Sequence, residues 1–136
     1  MSSMFDRLEL TNWKNFPSAD VRLAPRVFIV GPNAIGKSNI LDALRFLRDI
    51  TVEGGGLSKA VEWRGGMTSV RSLHARKNPA VTISVVVFES VNVKNGFHYS
   101  LTFDSYPKHA QMPLVFNEKV ERIIDGSANI LCDRSR

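Results

Sequence analysis

The sequence predicts an α/β lobe, α+β-like in character, in which a strand pair, one helix and an antiparallel meander form a single domain. Three observations predict it. Apolar and polar residues alternate in two N-terminal runs, a continuously apolar run precedes a glycine-rich loop and an amphipathic helix, and β-rich runs separated by turn dipeptides fill the second half. At 136 residues the chain is one domain or one lobe of a larger one, since domains usually contain roughly 100–200 residues.

The N-terminal strand pair rests on two alternating segments. FDRLELTN shows the apolar–polar alternation of a half-buried strand at Phe5, Leu8 and Leu10, and ADVRLA repeats the alternation at Val21 and Leu23. The short WKNFPS segment between them is long enough for a turn. We therefore expect two neighbouring strands before Pro25 breaks the pattern.

The next segment predicts a strand, a loop and a helix. Val27–Val30 is continuously apolar and rich in β-branched residues, which favours a strand buried on both faces of a parallel or mixed sheet. After the loop, SNILDALRFLRDI has the period of a helix of about three turns. Its predicted apolar stripe consists of Ile40, Ala43, Leu44, Leu47 and Ile50.

The remainder divides into a connection and a meander. Residues 51–80 contain Gly54–Gly56 and Gly65–Gly66 and a basic stretch, WRGGMTSVRSLHARKNP. This stretch has two interpretations, a loop that contacts phosphate or DNA and, favoured by the frequency of charged loops, a solvated connection. Residues 81–136 predict antiparallel strands with hairpin turns at Asn95-Gly96 and Asp125-Gly126. Residues 1–50, 51–80 and 81–136 are thus predicted to form one lobe, which we expect to be incomplete.

Composition excludes several classes of protein. With 43% hydrophobic and 23% charged residues, the chain can bury a core, so disorder is a poor description. It has no apolar run of membrane-spanning length and no signal-peptide core at its start, and the lone Cys132 cannot form an internal disulfide. A cytoplasmic location, away from membranes, is therefore expected. The net charge of +5 permits contact with nucleic-acid phosphates but is equally explained by a solvated basic surface.

The glycine-rich loop carries the chemistry. GPNAIGKS fits the pattern G-x-x-x-x-G-K-[ST] at Gly31, Gly36, Lys37 and Ser38. The two glycines let the backbone direct several N–H groups into one concavity that suits a polyphosphate, and the helix N-terminus adds partial positive charge. Lys37 supplies an ammonium group for the β- and γ-phosphates, and Ser38 a hydroxyl for Mg²⁺. The motif predicts binding of ATP with Mg²⁺, with Lys37 as the catalytic residue.

The flanking residues identify a family. LELTNWKNF followed by GPNAIGKSNILDALRFL resembles the N-terminal lobe of ATPase heads in the SMC/RecF/OLD group of ABC-type ATPases. Those heads carry an N-F-[RK]-x-F-like phrase and then G-x-N-G-x-G-K-[ST]-N, two hydrophobic residues and [DE]-A. Trp13 replaces the usual Phe, and Ala34 the usual Gly, which can shift the loop because Ala tolerates left-handed φ poorly. The resemblance is specific from Phe5 to Asp49 and only architectural from Val81 onward.

The resemblance implies further roles. It implies that Lys14 lies near the nucleotide phosphates, that Asn33 approaches the γ-phosphate as part of the loop containing Ala34, and that Asn39 lines the base or ribose side. It also implies a partner, either a second ATPase head in a homodimer or a missing C-terminal lobe, and work on DNA in repair, chromosome maintenance or defence against phage.

Two parts of an ATPase site are not found in the sequence. These are an acidic strand that ends in Asp-Glu and an LSGG-like signature. Of the nearest imitations of the acidic strand, Ile130–Asp133 lacks the following Glu and Ile123–Asp125 fits an Asp-Gly turn better. Gln111 lies in a linker-like segment. The three histidines (His74, His98 and His109) have no metal-ligand spacing, and no Ser/His/Asp arrangement is evident.

The sequence therefore predicts a lobe that binds nucleotide but cannot hydrolyse it alone. Two alternatives remain. A small P-loop phosphotransferase would need an arginine-rich lid, and Arg64, Arg71 and Arg76 cluster in a single loop. In a non-catalytic nucleotide- or nucleic-acid-binding module, the lobe itself would be the functional unit.

Overall fold

The computed structural model describes residues 3–32, 36–75, 77–106 and 109–136, without the side chains of residues 106 and 109–111. The elements are β1 (Met4–Trp13), β2 (Phe16–Arg22), α1 (Lys37–Thr51), α2 (Leu57–Glu62), α3 (Met67–Val70), β3 (Val81–Ser90), β4 (Val93–Tyr106), β5 (His109–Ile124) and β6 (Ser127–Ser135). The strands form one sheet in the order β2-β1-β3-β4-β5-β6, and all neighbouring pairs are antiparallel. None of the helices in the described part of the chain could cross a membrane.

The predicted strand pair and meander are confirmed. Leu8 pairs with Val21 across β1 and β2, and Leu8 is fully buried. At the β5–β6 hairpin, Asp125 and Gly126 have φ angles of 51° and 82°, the positive values that a type I′ turn requires at both central residues. The alternation of apolar and polar residues was therefore a reliable guide to the sheet.

The predicted turn at Asn95-Gly96 is wrong. The chain turns at residues 91–92 instead, and both Asn95 and Gly96 lie inside β4. Gly96 pairs with Phe88 on one side and Ile123 on the other. A Cβ atom at this position would lie 1.9 Å from the carbonyl oxygen of Val87. The glycine is therefore needed for close approach of two backbones rather than for a turn.

The predicted buried strand at Val27–Val30 is also wrong. This segment has no regular structure, and Phe28 and Val30 are each 87% exposed. A strand buried on both faces needs hydrogen-bonded neighbours and cover on each face. Since β1 already lies between β2 and β3, the interior of the sheet has no vacant position for this segment. It is an exposed apolar segment immediately before the glycine-rich loop.

An aromatic cluster joins α1 to the sheet. Phe46 is fully buried, with its ring centroid 5.1 Å from that of Trp13 on β1 and 5.4 Å from that of Phe103 on β4. Ala43, from the predicted stripe, is also fully buried. The other predicted stripe residues are only partly buried against the core, namely Ile40, Leu44, Leu47 and Ile50. The centre of the helix contact is therefore Phe46, which the predicted stripe omitted.

Residues 51–80 are more ordered than the sequence predicted. They contain α2 and α3, and each short helix begins after a glycine, Gly56 or Gly66, whose φ is positive. Ala60, Val61, Met67 and Val70 are fully buried. The favoured interpretation, a solvated connection, is thus wrong for this part of the chain, because the short helices contribute to the core.

A row of polar side chains links three strands on the face opposite Leu101 and Phe103. His98 lies on β4, with Nδ1 2.7 Å from Glu121 Oε2 and Nε2 2.6 Å from Ser84 Oγ. This Ser–His–Glu row could not be predicted from sequence, because the three residues meet only through strand register. Ser84 is 7% exposed in the middle of β3. The row ties β3, β4 and β5 together.

Candidate nucleotide-binding site

Gly36 determines how the glycine-rich loop enters α1. Its φ of 84° lies in the left-handed region that favours glycine, and it occupies the N-cap position directly before Lys37. Because glycine has no side chain, α1 has no side-chain cap at this end, and its first turn contains no acidic residue. Backbone N–H groups and positive partial charge therefore lie at a helix end that suits an anion.

The predicted site residues gather at this helix end. Gly31 and Gly36 flank the loop, Lys37 and Ser38 begin α1, and the Lys37 ammonium donates a hydrogen bond back to the Gly31 carbonyl oxygen. The lysine side chain thus spans the loop from its last residues to its first. Asn33 and Ala34 fall outside the described residues, so their predicted roles stay predictions.

Lys14 lies beside the loop but is already paired. It occupies the turn between β1 and β2 with a φ of 50°, and its backbone N–H donates to the Val70 carbonyl. The side-chain Nζ lies 2.6 Å from Asp42 Oδ2, and 22% of the Lys14 side chain is exposed. A phosphate group would therefore have to compete with Asp42 for this ammonium.

Asp42 and Asp49 on α1 are joined by Arg64. The Arg64 guanidinium donates to Asp42 at 2.9 and 3.0 Å and to Asp49 at 2.9 Å, with its Cζ atom 5.1 Å from the Phe46 ring centroid. The Arg64 side chain is only 10% exposed. Burial by itself would raise the pKa of Asp42, but hydrogen bonds from Arg64 and Lys14 outweigh it and lower that pKa. Arg64 therefore anchors the connection to the helix of the site.

Trp13 and Asn15 hold the start of α1 from the sheet side. The indole Nε1–H of Trp13 donates to the Asn39 carbonyl oxygen at 2.8 Å, and Asn39 Nδ2 donates to Asn15 Oδ1 at 2.8 Å. The phenylalanine usual at the Trp13 position could not make the first of these bonds. The departure from the family pattern therefore adds a tie between β1 and the helix.

We expect Trp13→Phe to lower the free energy of unfolding by about 1–2 kcal/mol, because it removes this bond from a partly buried carbonyl. Urea denaturation followed by circular dichroism measures the change. Trp63→Phe is the matched control, since Trp63 is 55% exposed, and it should shift stability by less than about 0.5 kcal/mol. Equal effects at the two positions would contradict the role of the indole N–H.

A cavity of about 380 Å³ opens next to these residues. Its lining includes Lys14, Asn15, Asn39, Ser69, Arg71 and His74. Arg71 is held by Asp104 at 2.5 Å and Ser105 at 2.7 Å, and its buried Nε has no hydrogen-bond partner within the described residues. The cavity thus has a basic and amide lining on the side of α1 where the resemblance placed the base or ribose. Arg71 and His74 belong to the basic stretch for which one interpretation was a loop that contacts phosphate or DNA, whereas Asn15 was not predicted as a site residue.

The remaining candidates lie elsewhere. Asp125 is in the β5–β6 turn, and Ile130–Asp133 belongs to the edge strand β6, where Ile130 and Leu131 are 60% and 61% exposed. The side chains of Gln111 and His109 are outside the described residues. Within the part of the chain that is described, no group of three or more His, Cys, Asp or Glu side chains could hold a metal ion.

Comparison with known proteins identifies a family for most of the chain. A family model described as "AAA domain, putative AbiEii toxin, Type IV TA system" matches residues 26–131. Similar proteins include the DNA replication and repair protein RecF of Porphyromonas gingivalis, 44% identical over 45 residues, which are 32% of this chain and 12% of that protein. The endonuclease GajA of Bacillus cereus is 38% identical over 56 residues, 41% of this chain and 10% of GajA. RecF of Allorhizobium ampelinum is 40% identical over 60 residues, 43% of this chain and 15% of that RecF.

Proposed function

We propose that this chain, which belongs to that AAA-domain family, is the Mg-ATP-binding lobe of an ATPase that acts on DNA. The observation that carries the proposal is the start of α1, where a left-handed Gly36 leads into a helix end without a side-chain cap and Lys37 spans the loop. Backbone N–H groups, helix polarity and an ammonium group are the three features that bind a polyphosphate.

In this proposal each predicted residue has one role. The loop formed by Gly31, Asn33, Ala34 and Gly36 surrounds the phosphates, and Lys37 exchanges the Gly31 carbonyl for β- and γ-phosphate oxygens. Lys14 and Asn39 face the nucleotide from the cavity side. The position of Ser38 in the first turn of α1 suits a metal ligand, since Mg²⁺ keeps several waters and uses few protein ligands beside phosphate oxygens. When bound, Mg²⁺ would neutralise charge on those oxygens.

Hydrolysis would need groups from another part of the protein or from a second head. The segments aligned with this chain span 10–15% of the length of the relatives described above. The exposed apolar side chains of Val27–Val30 also suit a surface covered by a further lobe. Nucleotide binding would then drive contact between heads in a homodimer, as the half-site character of the lobe suggests.

The link to DNA rests on the names of the relatives. RecF is described as acting in DNA replication and repair and GajA as an endonuclease, so we place this ATPase in DNA repair or in defence against foreign DNA, in the cytoplasm.

The ion pairs of the arginines disfavour the alternative of a small phosphotransferase. Arg64 and Arg71 are bound to Asp42, Asp49 and Asp104 rather than presented as a lid.

We expect Lys37→Ala to weaken Mg-ATP binding by about 10- to 100-fold, because it removes a charged hydrogen bond to phosphate. Isothermal titration calorimetry on the 136-residue chain measures this, with circular dichroism to confirm folding. Lys59→Ala is the control, since Lys59 pairs with Glu62 on the exposed surface of α2. A wild-type chain that binds no Mg-ATP would overturn the proposal, and steady turnover by the isolated wild-type chain would overturn its half-site part.

A further inference from the structure

The turn between β1 and β2 touches the phosphate-binding loop through a residue that the motif does not include. This turn consists of Lys14 and Asn15. Lys14 is directed to Asp42, whereas Asn15 accepts the Asn39 side-chain hydrogen bond at 2.8 Å. Asn15 is thus the residue of the turn that contacts the start of α1.

Asn15 also lies directly against Gly36. A Cβ atom built on Gly36 would lie 2.2 Å from Asn15 Nδ2 and 2.3 Å from Asn15 Oδ1. The carboxamide therefore occupies the space beside the last glycine of the loop, which a side chain at position 36 would otherwise fill. Gly36 is required for two reasons, its φ of 84° and this close approach.

These two contacts act on the same short stretch of backbone. Asn39 is held at its carbonyl by Trp13 and at its side chain by Asn15, while Gly36 accepts a hydrogen bond from the Asn39 N–H at 2.9 Å. The first turn of α1 is therefore held by Trp13 and Asn15, which contact it at Asn39 and, through Asn15, at Gly36. Its N–H groups are the ones that a bound polyphosphate would meet.

We propose that Asn15 is a positioning residue for the phosphate-binding loop, holding Gly36 and Asn39 so that the start of α1 presents its N–H groups to a nucleoside triphosphate. This inference rests on the proposed function and extends it to a residue of the β1–β2 turn. A neutral carboxamide suits the position, because a carboxylate beside Gly36 would lie close to the bound phosphates and repel them.

The test compares ligands that differ in phosphate number. Binding of Mg-ATP, Mg-ADP and adenosine is measured for wild type, Asn15→Asp and Asn15→Ala. We expect Asn15→Asp to weaken Mg-ATP binding on the order of tenfold, Mg-ADP binding by less and adenosine binding hardly at all. Asn15→Ala should lower the ratio of ATP to adenosine affinity by about threefold, because it loosens the loop without adding charge.

Asn92→Asp is the matched control, since it adds the same charge to the exposed turn between β3 and β4. It should leave all three affinities unchanged. If Asn15→Asp weakens all three ligands equally, or none, the positioning role is wrong. If circular dichroism shows that Asn15→Asp does not fold, Asn15→Ala provides the test instead. An unchanged ratio of ATP to adenosine affinity in Asn15→Ala would then contradict the positioning role. A wild-type chain without Mg-ATP binding would instead overturn the proposed function together with this inference.

Discussion

Phe46→Ala is expected to lower the free energy of unfolding by about 4 kcal/mol, the largest effect on stability that we predict. The ring is fully buried between Trp13 and Phe103 and lies beneath the Arg64 guanidinium. Truncation removes the apolar contact and leaves a cavity that these three surrounding groups, which belong to different parts of the fold, cannot close. Urea denaturation monitored by circular dichroism gives the change.

The control for Phe46 lies on the same helix. Leu41 is 47% exposed, so Leu41→Ala should change the free energy of unfolding by less than about 1 kcal/mol. Both variants replace a large apolar side chain of α1 by alanine. The difference between them therefore reports the loss of packing rather than a change in helix propensity. A small effect of Phe46→Ala, equal to that of Leu41→Ala, would mean that α1 does not pack on the sheet through Phe46.

Arg64→Ala is expected to cost about 3 kcal/mol of unfolding free energy. The substitution leaves the carboxylates of Asp42 and Asp49, whose side chains are 19% and 14% exposed, without their shared guanidinium. Arg64→Lys should recover only part of the loss, because one ammonium cannot reproduce the planar fork. Arg48→Ala is the matched control, since Arg48 contacts the same Asp49 but its side chain is 67% exposed, and its effect should be under about 1 kcal/mol.

The same cluster gives a pH dependence. Burial would raise the pKa of Asp42 and Asp49, yet hydrogen bonds from basic side chains, Arg64 among them, outweigh burial and hold each pKa below its ordinary value of 3.8. A carboxyl group with a lowered pKa stabilises the fold above that ordinary value and loses its contribution as the pH falls below it. Wild-type stability should therefore decline below about pH 4 more steeply than that of Arg64→Ala. Parallel pH profiles would contradict the pairing.

Local sequence pattern predicted the elements that depend on neighbouring residues. The strand pair, the meander and the Asp125-Gly126 turn follow from alternation and from residues that tolerate positive φ. Asn95-Gly96 has the same local signal but a different outcome, because Gly96 must fit beneath the Val87 carbonyl. Whether a glycine serves a turn or a close contact depends on the strand opposite, which a single sequence does not specify.

The apolar run Val27–Val30 shows a second limit of prediction from local sequence. Its composition favours a buried strand, but burial needs partners, and in this structure β1 and β3 already pair with each other. For the candidate site, the motif located Gly31, Gly36, Lys37 and Ser38 at one helix end. It could not indicate Asn15 or Arg64, because their contacts with Asn39, Asp42 and Asp49 depend on tertiary packing.

The order β2-β1-β3-β4-β5-β6 has a consequence for folding kinetics. Four of the five strand pairings join consecutive strands, so hairpins can form them early at a small loop-closure cost. The pairing of β1 with β3 must instead enclose residues 14–80, which include β2, the glycine-rich loop and the helices α1, α2 and α3. We expect the β3–β6 meander to fold first and the candidate site to be assembled in the slow step, when β1 docks.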